Sequence, residues 1–150
     1  MSIEKDLKLT HKTGLESKVL INLTYTTRQI EEALSSLLKE YGLTIQQFNV
    51  LRILRGQQGK PASLNCVQER MVDRSSNTTR LVDKLIAKGL TNRRICPSNR
   101  RKVEIEITEK GLQILSETDP KINALNNAQV KNFTKEELTQ FNEFLDRLRE

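Results

Sequence analysis

Residues 73–85 read DRSSNTTRLVDKL, and this stretch indicates both how the chain folds and what it contacts. Leu81, Val82 and Leu85 recur at the spacing of the buried face of a helix. Serines and threonines crowd the predicted first turn, although both are mediocre residues in a helix interior. Short hydrogen-bond donors at a helix N-terminus suit close approach to phosphates and base edges. The stretch therefore predicts a helix that contacts nucleic acid.

The other face of this helix is basic. Steps of three, four and four residues place four polar side chains on one side: Asn77, Arg80, Lys84 and Lys88. Residues 70–102 hold ten basic and two acidic residues, a local charge of +8 in a chain whose total is +6. Residues 103–150 carry −4. A polyanion is the expected partner of charge concentrated in this way.

Composition excludes several classes of protein. The chain has 150 residues, the size of a single domain over residues 1–150. Aromatic residues make up 4% and Trp is absent, which argues against a single-strand binder that stacks bases on aromatic rings. No apolar run approaches the ~20 residues that cross a bilayer, and the N-terminus does not resemble a signal peptide. No membrane association is expected.

The scarcity of cysteine and histidine, two common catalytic and metal-binding residue types, predicts a protein that is not an enzyme. Two cysteines, Cys66 and Cys96, give neither a disulfide framework nor a zinc motif, and they suit a reducing, cytoplasmic setting. The single histidine, His11, cannot by itself form a metal site or a catalytic triad, and we interpret it as a surface residue. No metal and no cofactor are expected.

Helix signals precede the basic stretch at close intervals. Apolar residues at three- and four-residue steps predict a long amphipathic helix over residues 15–41, which Gly42 ends. A capping box at residues 44–47 opens a short helix that runs to Gln57. Ser63 is the predicted N-cap of the next helix. Two short helices, one beginning at Thr44 and one at Ser63, are therefore predicted ahead of the basic stretch of residues 73–85.

A hairpin and two helices follow the basic stretch. Residues 90–95 and 103–107 read as strands around turn residues at 97–99, and basic residues occupy the tip. Thr108 is the predicted N-cap of a long helix that Pro120 kinks or breaks. A second capping box, at residues 134–137, opens a last helix with an apolar stripe.

This order predicts a mainly α fold with a small β-hairpin wing, in which a winged helix-turn-helix is flanked by N- and C-terminal dimerisation helices. The DNA-binding lobe spans residues 44–109. Its second helix would enter the major groove, and the wing tip would reach the minor groove or the backbone. The helices over residues 12–41 and 110–150 carry apolar stripes that the lobe cannot bury, so we expect a homodimer.

The same residues resemble a known family. Residues 73–85, followed by Lys88-Gly89-Leu90 and Arg93-Arg94, are similar to the recognition-helix signature of MarR-type transcriptional regulators. Residues 99–111 resemble that family's wing signature, Asp-x-Arg, five residues, then Leu-Thr-x-x-Gly. The resemblance implies a homodimer that binds a specific, pseudo-palindromic double-stranded DNA site, usually as a repressor released by a small-molecule effector. Asn99 replaces the usual Asp, so a neutral hydrogen bond replaces a salt bridge in the wing.

The predicted DNA contacts form two groups. Those of the recognition helix are Arg74, Ser75, Ser76, Asn77, Thr78, Arg80 and Lys84. Those of the wing are Asn99, Arg100, Arg101 and Lys102, of which Arg101 holds the position of the family's wing arginine. In bidentate geometry Asn favours adenine and Arg favours guanine. Asp83 is predicted to pair with a nearby basic residue rather than with DNA.

Two alternative functions remain open. Cys96, at an exposed turn near Arg93 and Arg94, could act as a redox-sensing thiol, whereas Cys66 reads as a small core residue. The fold could also serve as a protein-interaction module that no longer reads DNA, although that role would not require the basic face. The effector-binding residues stay unassigned. Four residues could line an effector crevice, but core packing or surface exposure is the favoured account of each: Tyr25, Arg28, Phe48 and Arg52.

Overall fold

The computed structural model describes residues 2–10 and 13–150, so His11, interpreted above as a surface residue, lies outside the described residues. The elements are α1 Ile3–Asp6, α2 Leu15–Lys39, α3 Ile45–Arg55, β1 Ala62–Ser63, α4 Leu64–Arg70, α5 Thr78–Ala87, β2 Thr91–Cys96, β3 Asn99–Ile107, α6 Glu109–Gln129 and α7 Lys135–Arg147. This confirms the predicted mainly helical fold with a small β wing. None of the described helices combines the length and apolarity needed to span a bilayer.

Local hydrogen bonds explain where the helices begin. Both predicted capping boxes are present, at Thr44 with Gln47 and at Thr134 with Glu137. Ser63 accepts a hydrogen bond from the Cys66 amide as the predicted N-cap of α4. Helices α2 and α3 each end two residues earlier than predicted, at Lys39 and Arg55.

Three features of the fold differ from the sequence-based expectation. A third strand, β1, pairs with β3 through Ala62 and Ile105, so the sheet order is β1-β3-β2 rather than a simple hairpin. A four-residue helix, α1, precedes α2. Pro120 does not break α6, which is continuous from Glu109 to Gln129. Burial of Thr118 and Ile122 on either side holds the helix together against the hydrogen bond that the proline removes.

One hydrophobic core connects the lobe to the flanking helices. Its fully buried side chains come from six different elements: Leu38 of α2, Leu51 of α3, Val67 of α4, Leu85 of α5, Ile105 of β3 and Leu115 of α6. Helix α7 contributes no buried residue. Because α2 and α6 share a core with α3 and α5, movement of the flanking helices is mechanically linked to the DNA-binding helices.

The flanking helices also expose apolar side chains. On and before α7 these are Phe133, Phe141, Phe144 and Leu148, and the rings of Phe133 and Phe141 stack with centroids 6.2 Å apart. In the first half of α2 they are Leu15, Val19 and Leu20. Large apolar side chains exposed together on a helix are typical of an interface.

An ion pair joins α3 to α6. The Arg55 guanidinium makes a bidentate contact with the Asp119 carboxylate, at 2.6 and 3.1 Å. This contact holds the pKa of Asp119 below its usual value. A carboxylate whose pKa is lowered by folding stabilises the native state above its unfolded pKa of about 3.9, and that contribution is lost as the pH falls through the lower folded value.

Replacing Asp119 with asparagine is therefore expected to lower the free energy of unfolding at pH 7 by at most about 1 kcal/mol, since the pair is partly exposed. The deficit should shrink as the pH falls below about 4, where the carboxylate of the unfolded state binds a proton, and it should vanish below the lower pKa of the native carboxylate. Urea denaturation at pH 7 and at pH 3 measures both values. Glu117→Gln, an exposed neighbour on α6 without an ion pair in the described chain, is the control. A deficit that is equal at both pH values would contradict the assignment.

Candidate nucleic-acid interface

Helix α5 occupies the place of the predicted recognition helix. Val82 and Leu85 are fully buried on its inner face. Arg80 and Lys84 are exposed on its outer face, and within the described residues neither side chain has an ion-pair partner. Two uncompensated cations on consecutive turns of one helix can meet phosphates and base edges together.

The sequence pattern predicted Ser75 and Ser76 in the first turn of this helix. In the structure both residues lie before it. The Asp73 carboxylate accepts hydrogen bonds from the Ser75 amide at 3.0 Å and from the Ser75 hydroxyl at 2.5 Å. Side-chain turns of this kind compete with helix formation, which explains the later start of α5. The same bonds hold the pKa of Asp73 below its usual value, so a carboxylate persists within a basic surface.

Asn77 is the N-cap of α5, not a member of the helical stripe with Arg80. Its Oδ1 accepts a hydrogen bond from the Arg80 amide at 3.0 Å. Bidentate recognition of adenine uses both the oxygen and the nitrogen of an Asn side chain, and the oxygen is engaged here. The exposed Nδ2 group keeps its donors for a single contact.

Two further residues expected on the DNA-facing surface are turned elsewhere. Thr78 is only 5% exposed, and its hydroxyl donates to Oε1 of Gln68, so the prediction that its side chain contacts DNA is corrected. Lys88 is the C-cap of α5, and its ammonium group reaches the Gly42 carbonyl and, at 3.3 Å, Oε1 of Gln47. Helical spacing predicts which residues share one face of α5. It does not predict which neighbouring helices pack against the two ends of α5, where Thr78 and Lys88 lie.

The wing is the hairpin of β2 and β3, with a register irregularity between Ile95 and Cys96. Three cations stand exposed at its tip: Arg100, Arg101 and Lys102. Ion pairs of the described chain involve none of these three side chains. Oδ1 of Asn99 accepts a hydrogen bond from the Arg101 backbone amide at 3.1 Å. This bond involves a neutral side chain, whereas the family's wing signature has an Asp carboxylate at this position.

The other basic residues of residues 70–102 are partly neutralised. Asp83 pairs with Arg93 at 2.8 Å, which confirms its predicted structural role and ties α5 to β2. Arg94 pairs with Glu104 across the two wing strands at 3.0 Å. Among the described residues of this segment, the cations without a carboxylate partner are those of the outer face of α5 and of the wing tip, together with Arg70, Arg74 and Lys88.

The two cysteines do not occupy the environments expected of a reactive thiol. Cys96 is 8% exposed rather than exposed at the turn, and its Sγ lies 3.2 Å from the Ser98 hydroxyl. The guanidinium groups of Arg93 and Arg94 contact carboxylates, so they are not directed at the thiol. Cys66 is half-buried and packs against the core, in agreement with its predicted core role.

Two hollows open along α2. The larger, about 760 Å³, lies between α2 and the start of α3, and the smaller, about 430 Å³, is lined by Leu20, Ile21 and Tyr25. Arg28 lines both. Of the other crevice candidates, Phe48 is a core residue, and the exposed Arg52 places its guanidinium 5.8 Å from the centre of the Phe48 ring.

Comparison with known proteins places this geometry in context. The MarR family model matches residues 43–103. The transcriptional regulator MhqR of Bacillus subtilis (strain 168) is 29% identical over 131 residues, which are 87% of this chain and 89% of that protein. It is described as an HTH-type transcriptional regulator, a protein class distinct from enzymes.

Two solved structures share the fold. An organohalide-sensing transcriptional regulator with 2,4-dichlorophenol bound has a TM-score of 0.83 at 22% identity, and the match covers 92% of this chain and 81% of that one. BpsR of Bordetella bronchiseptica, whose DNA binding is regulated by 6-hydroxynicotinic acid, has a TM-score of 0.79 at 20% identity, over 93% and 99% of the two chains.

Proposed function

The chain is a MarR-type winged helix-turn-helix transcriptional regulator, and from this premise we propose that it acts in the cytoplasm as a homodimeric repressor. It binds a pseudo-palindromic double-stranded DNA site and releases that site when a small-molecule effector binds. The observation that carries the DNA-binding proposal is that the exposed cations on the outer face of α5 and at the wing tip have no ion-pair partner in the described chain. Charges left without internal partners on two elements of one surface match the phosphates of two neighbouring grooves.

The homodimer rests on the uncovered apolar surface of α7 and of the first half of α2. A two-fold pairing of these helices would bury that surface in a self-complementary interface. It would also place two copies of α5 about one helical turn of DNA apart, roughly 34–36 Å. Half-sites at that separation are the expected signature of the assembly.

The effector proposal rests on the chemistry of the hollows along α2. Leu20 and Ile21 offer apolar walls in the smaller hollow, and Arg28, whose guanidinium pairs with Glu31 at 3.1 Å, lines both hollows. A ring-shaped ligand with an anionic or phenolic group suits such a lining, and the two fold neighbours bind or respond to hydroxylated aromatic compounds. Titrating both compounds into the protein–DNA complex tests this class, with an aliphatic acid as the control. If only the aliphatic acid releases DNA, the assignment is wrong.

Selection of genomic fragments with the purified protein, at two salt concentrations, tests the DNA-binding function. Enrichment of a two-fold-related motif with half-sites about one helical turn apart is the expected result. Sequence-independent binding that vanishes at the higher salt concentration would contradict a sequence-specific regulator. The position of the enriched sites relative to promoters then distinguishes repression from activation.

Replacing Arg101 with alanine is expected to weaken binding to every DNA sequence alike and to reduce the slope of log K against log salt by about one unit, because one phosphate contact is lost. The charge stands exposed on β3, so the fold should be unaffected. Binding isotherms at four salt concentrations measure the slope. Arg149→Ala removes the same charge near the C-terminus, where the guanidinium pairs with Asp146, and should leave the slope unchanged. An unchanged slope for Arg101→Ala would remove the wing tip from the interface.

A further inference from the structure

Seven residues, 71–77, join α4 to α5 without forming helix or strand. They include Arg74 and Ser75, which we place at the DNA surface, and they end at the N-cap Asn77. Few backbone hydrogen bonds support this segment: the Met71 amide donates to the Gln68 carbonyl at 3.3 Å, and the Ser76 amide donates to the Asp73 carbonyl at 3.2 Å. The buried Met71 anchors its first residue in the core, and side chains from neighbouring helices fix the position of the rest.

Gln68 of α4 spans this segment with one amide group. Its Nε2 donates to the Arg74 carbonyl at 2.9 Å, and its Oε1 accepts a hydrogen bond from the Thr78 hydroxyl. The two bonded residues flank residues 75–77. Because its neighbour Val67 is fully buried, α4 is anchored in the core, and the Gln68 amide transmits that fixed position to the segment.

Asn49 of α3 provides a second attachment. Its Oδ1 accepts a hydrogen bond from the Val72 amide at 2.9 Å. The Val72 side chain is 90% exposed, so packing of that side chain does not hold the segment in place. The segment is thus attached by Asn49 near its start and by Gln68 across its second half.

We propose that Gln68 is a positioning residue for base recognition: without touching DNA, it sets the location of residues 74–78 and thereby the discrimination between the specific site and other DNA. The inference rests on the proposed function. Hydrogen bonds to base edges depend steeply on distance and angle, whereas phosphate contacts made by long cationic side chains tolerate small displacements. Loosening the segment should therefore cost specific binding more than non-specific binding.

The test is the ratio of affinities for the selected site and for a shuffled duplex of equal length. Gln68→Met keeps the length of the side chain and its neutrality but removes both hydrogen bonds. We expect the ratio to fall about three- to tenfold, the range for one or two ordinary hydrogen bonds, with non-specific affinity and the salt slope unchanged. Amide exchange in residues 74–78 should become faster. Gln113→Met is the matched control, since the hydrogen bond of that exposed side chain in the described part of the chain goes to Glu117 of its own helix.

Thr78→Val provides a second variant, because it removes the hydroxyl bonded to Gln68 with little change of shape, and it should also lower the ratio. If Gln68→Met folds and its affinity ratio is unchanged, the inference is overturned. If Gln68→Met does not fold, an unchanged ratio in Thr78→Val overturns it. Equal losses of specific and non-specific affinity overturn it too. If the wild-type protein selects no motif, the proposed function fails and the inference fails with it. A wild-type motif beside an unaltered variant ratio overturns the positioning role alone.

Discussion

Replacing Arg80 with alanine is expected to reduce affinity for the selected DNA site by about 1–3 kcal/mol and to blur the preference at one base pair. Arg80 lies in the first turn of α5, the part of a recognition helix that approaches base edges. Its side chain is exposed and forms no ion pair within the described chain. The free energy lost on substitution is therefore binding energy rather than stability.

Measuring affinity for the site with every base at each position shows whether the loss is concentrated at one base pair. Thermal unfolding of Arg80→Ala should match the wild type, because the Asn77 side chain caps the helix through the Arg80 backbone amide, which the substitution keeps. A loss spread evenly over all sequences would assign Arg80 to phosphate instead of a base. If Arg80→Ala and Arg101→Ala both leave affinity unaltered, α5 and the wing do not form the DNA interface.

The features predicted correctly from sequence are those set by hydrogen bonds within a few residues. The capping boxes at Thr44 and Thr134 are examples, since donor and acceptor lie three residues apart and the pattern is visible in the sequence. The family resemblance behaves similarly, because it rests on a contiguous motif. Asp83 was assigned correctly because a carboxylate in a strongly basic segment has many available partners.

Predictions failed where partners come from distant parts of the chain. Thr78 was expected at the DNA surface, but its hydroxyl meets Gln68 of α4, and Lys88 reaches back 46 residues to the Gly42 carbonyl. Nothing in the local pattern distinguishes Gln68 from any other polar residue on a short helix. The same limit hid β1, because a two-residue strand carries no periodicity and is defined only by its pairing with β3.

Cys96 shows that a turn in the sequence need not be exposed in the fold. The residue precedes the Pro97-Ser98 turn, yet the structure buries it, and its neighbour Ile95 takes the exposed position. Burial removes the access that a redox-sensing thiol requires. The arrangement therefore favours regulation by a ligand at the hollows of α2 over regulation through this thiol.

Replacing Gly111 with alanine is expected to lower the free energy of unfolding by about 1–3 kcal/mol, even though alanine is ordinarily the better helix residue by about 1 kcal/mol. A Cβ at this position would lie 2.5 Å from the Leu90 carbonyl oxygen and 2.7 Å from Cγ1 of Ile107. Leu90 is buried, and its carbonyl accepts a hydrogen bond from the Thr108 amide at 3.1 Å, so this backbone cannot move aside without loss.

The site of this contact gives the substitution a consequence for DNA binding as well. Gly111 lies in the first turn of α6, next to the end of α5 and the base of the wing, and its amide donates to the Thr108 hydroxyl at 3.1 Å. Displacing α6 there would shift the wing relative to the recognition helix, so specific affinity should fall even at temperatures where the variant remains folded. Urea unfolding and affinity for the selected site measure the two effects. Gly14→Ala, where the nearest atom to an added Cβ is 3.5 Å away, should change stability by less than about 0.5 kcal/mol. Equal stability of the two variants would show that the backbone at Leu90 yields after all.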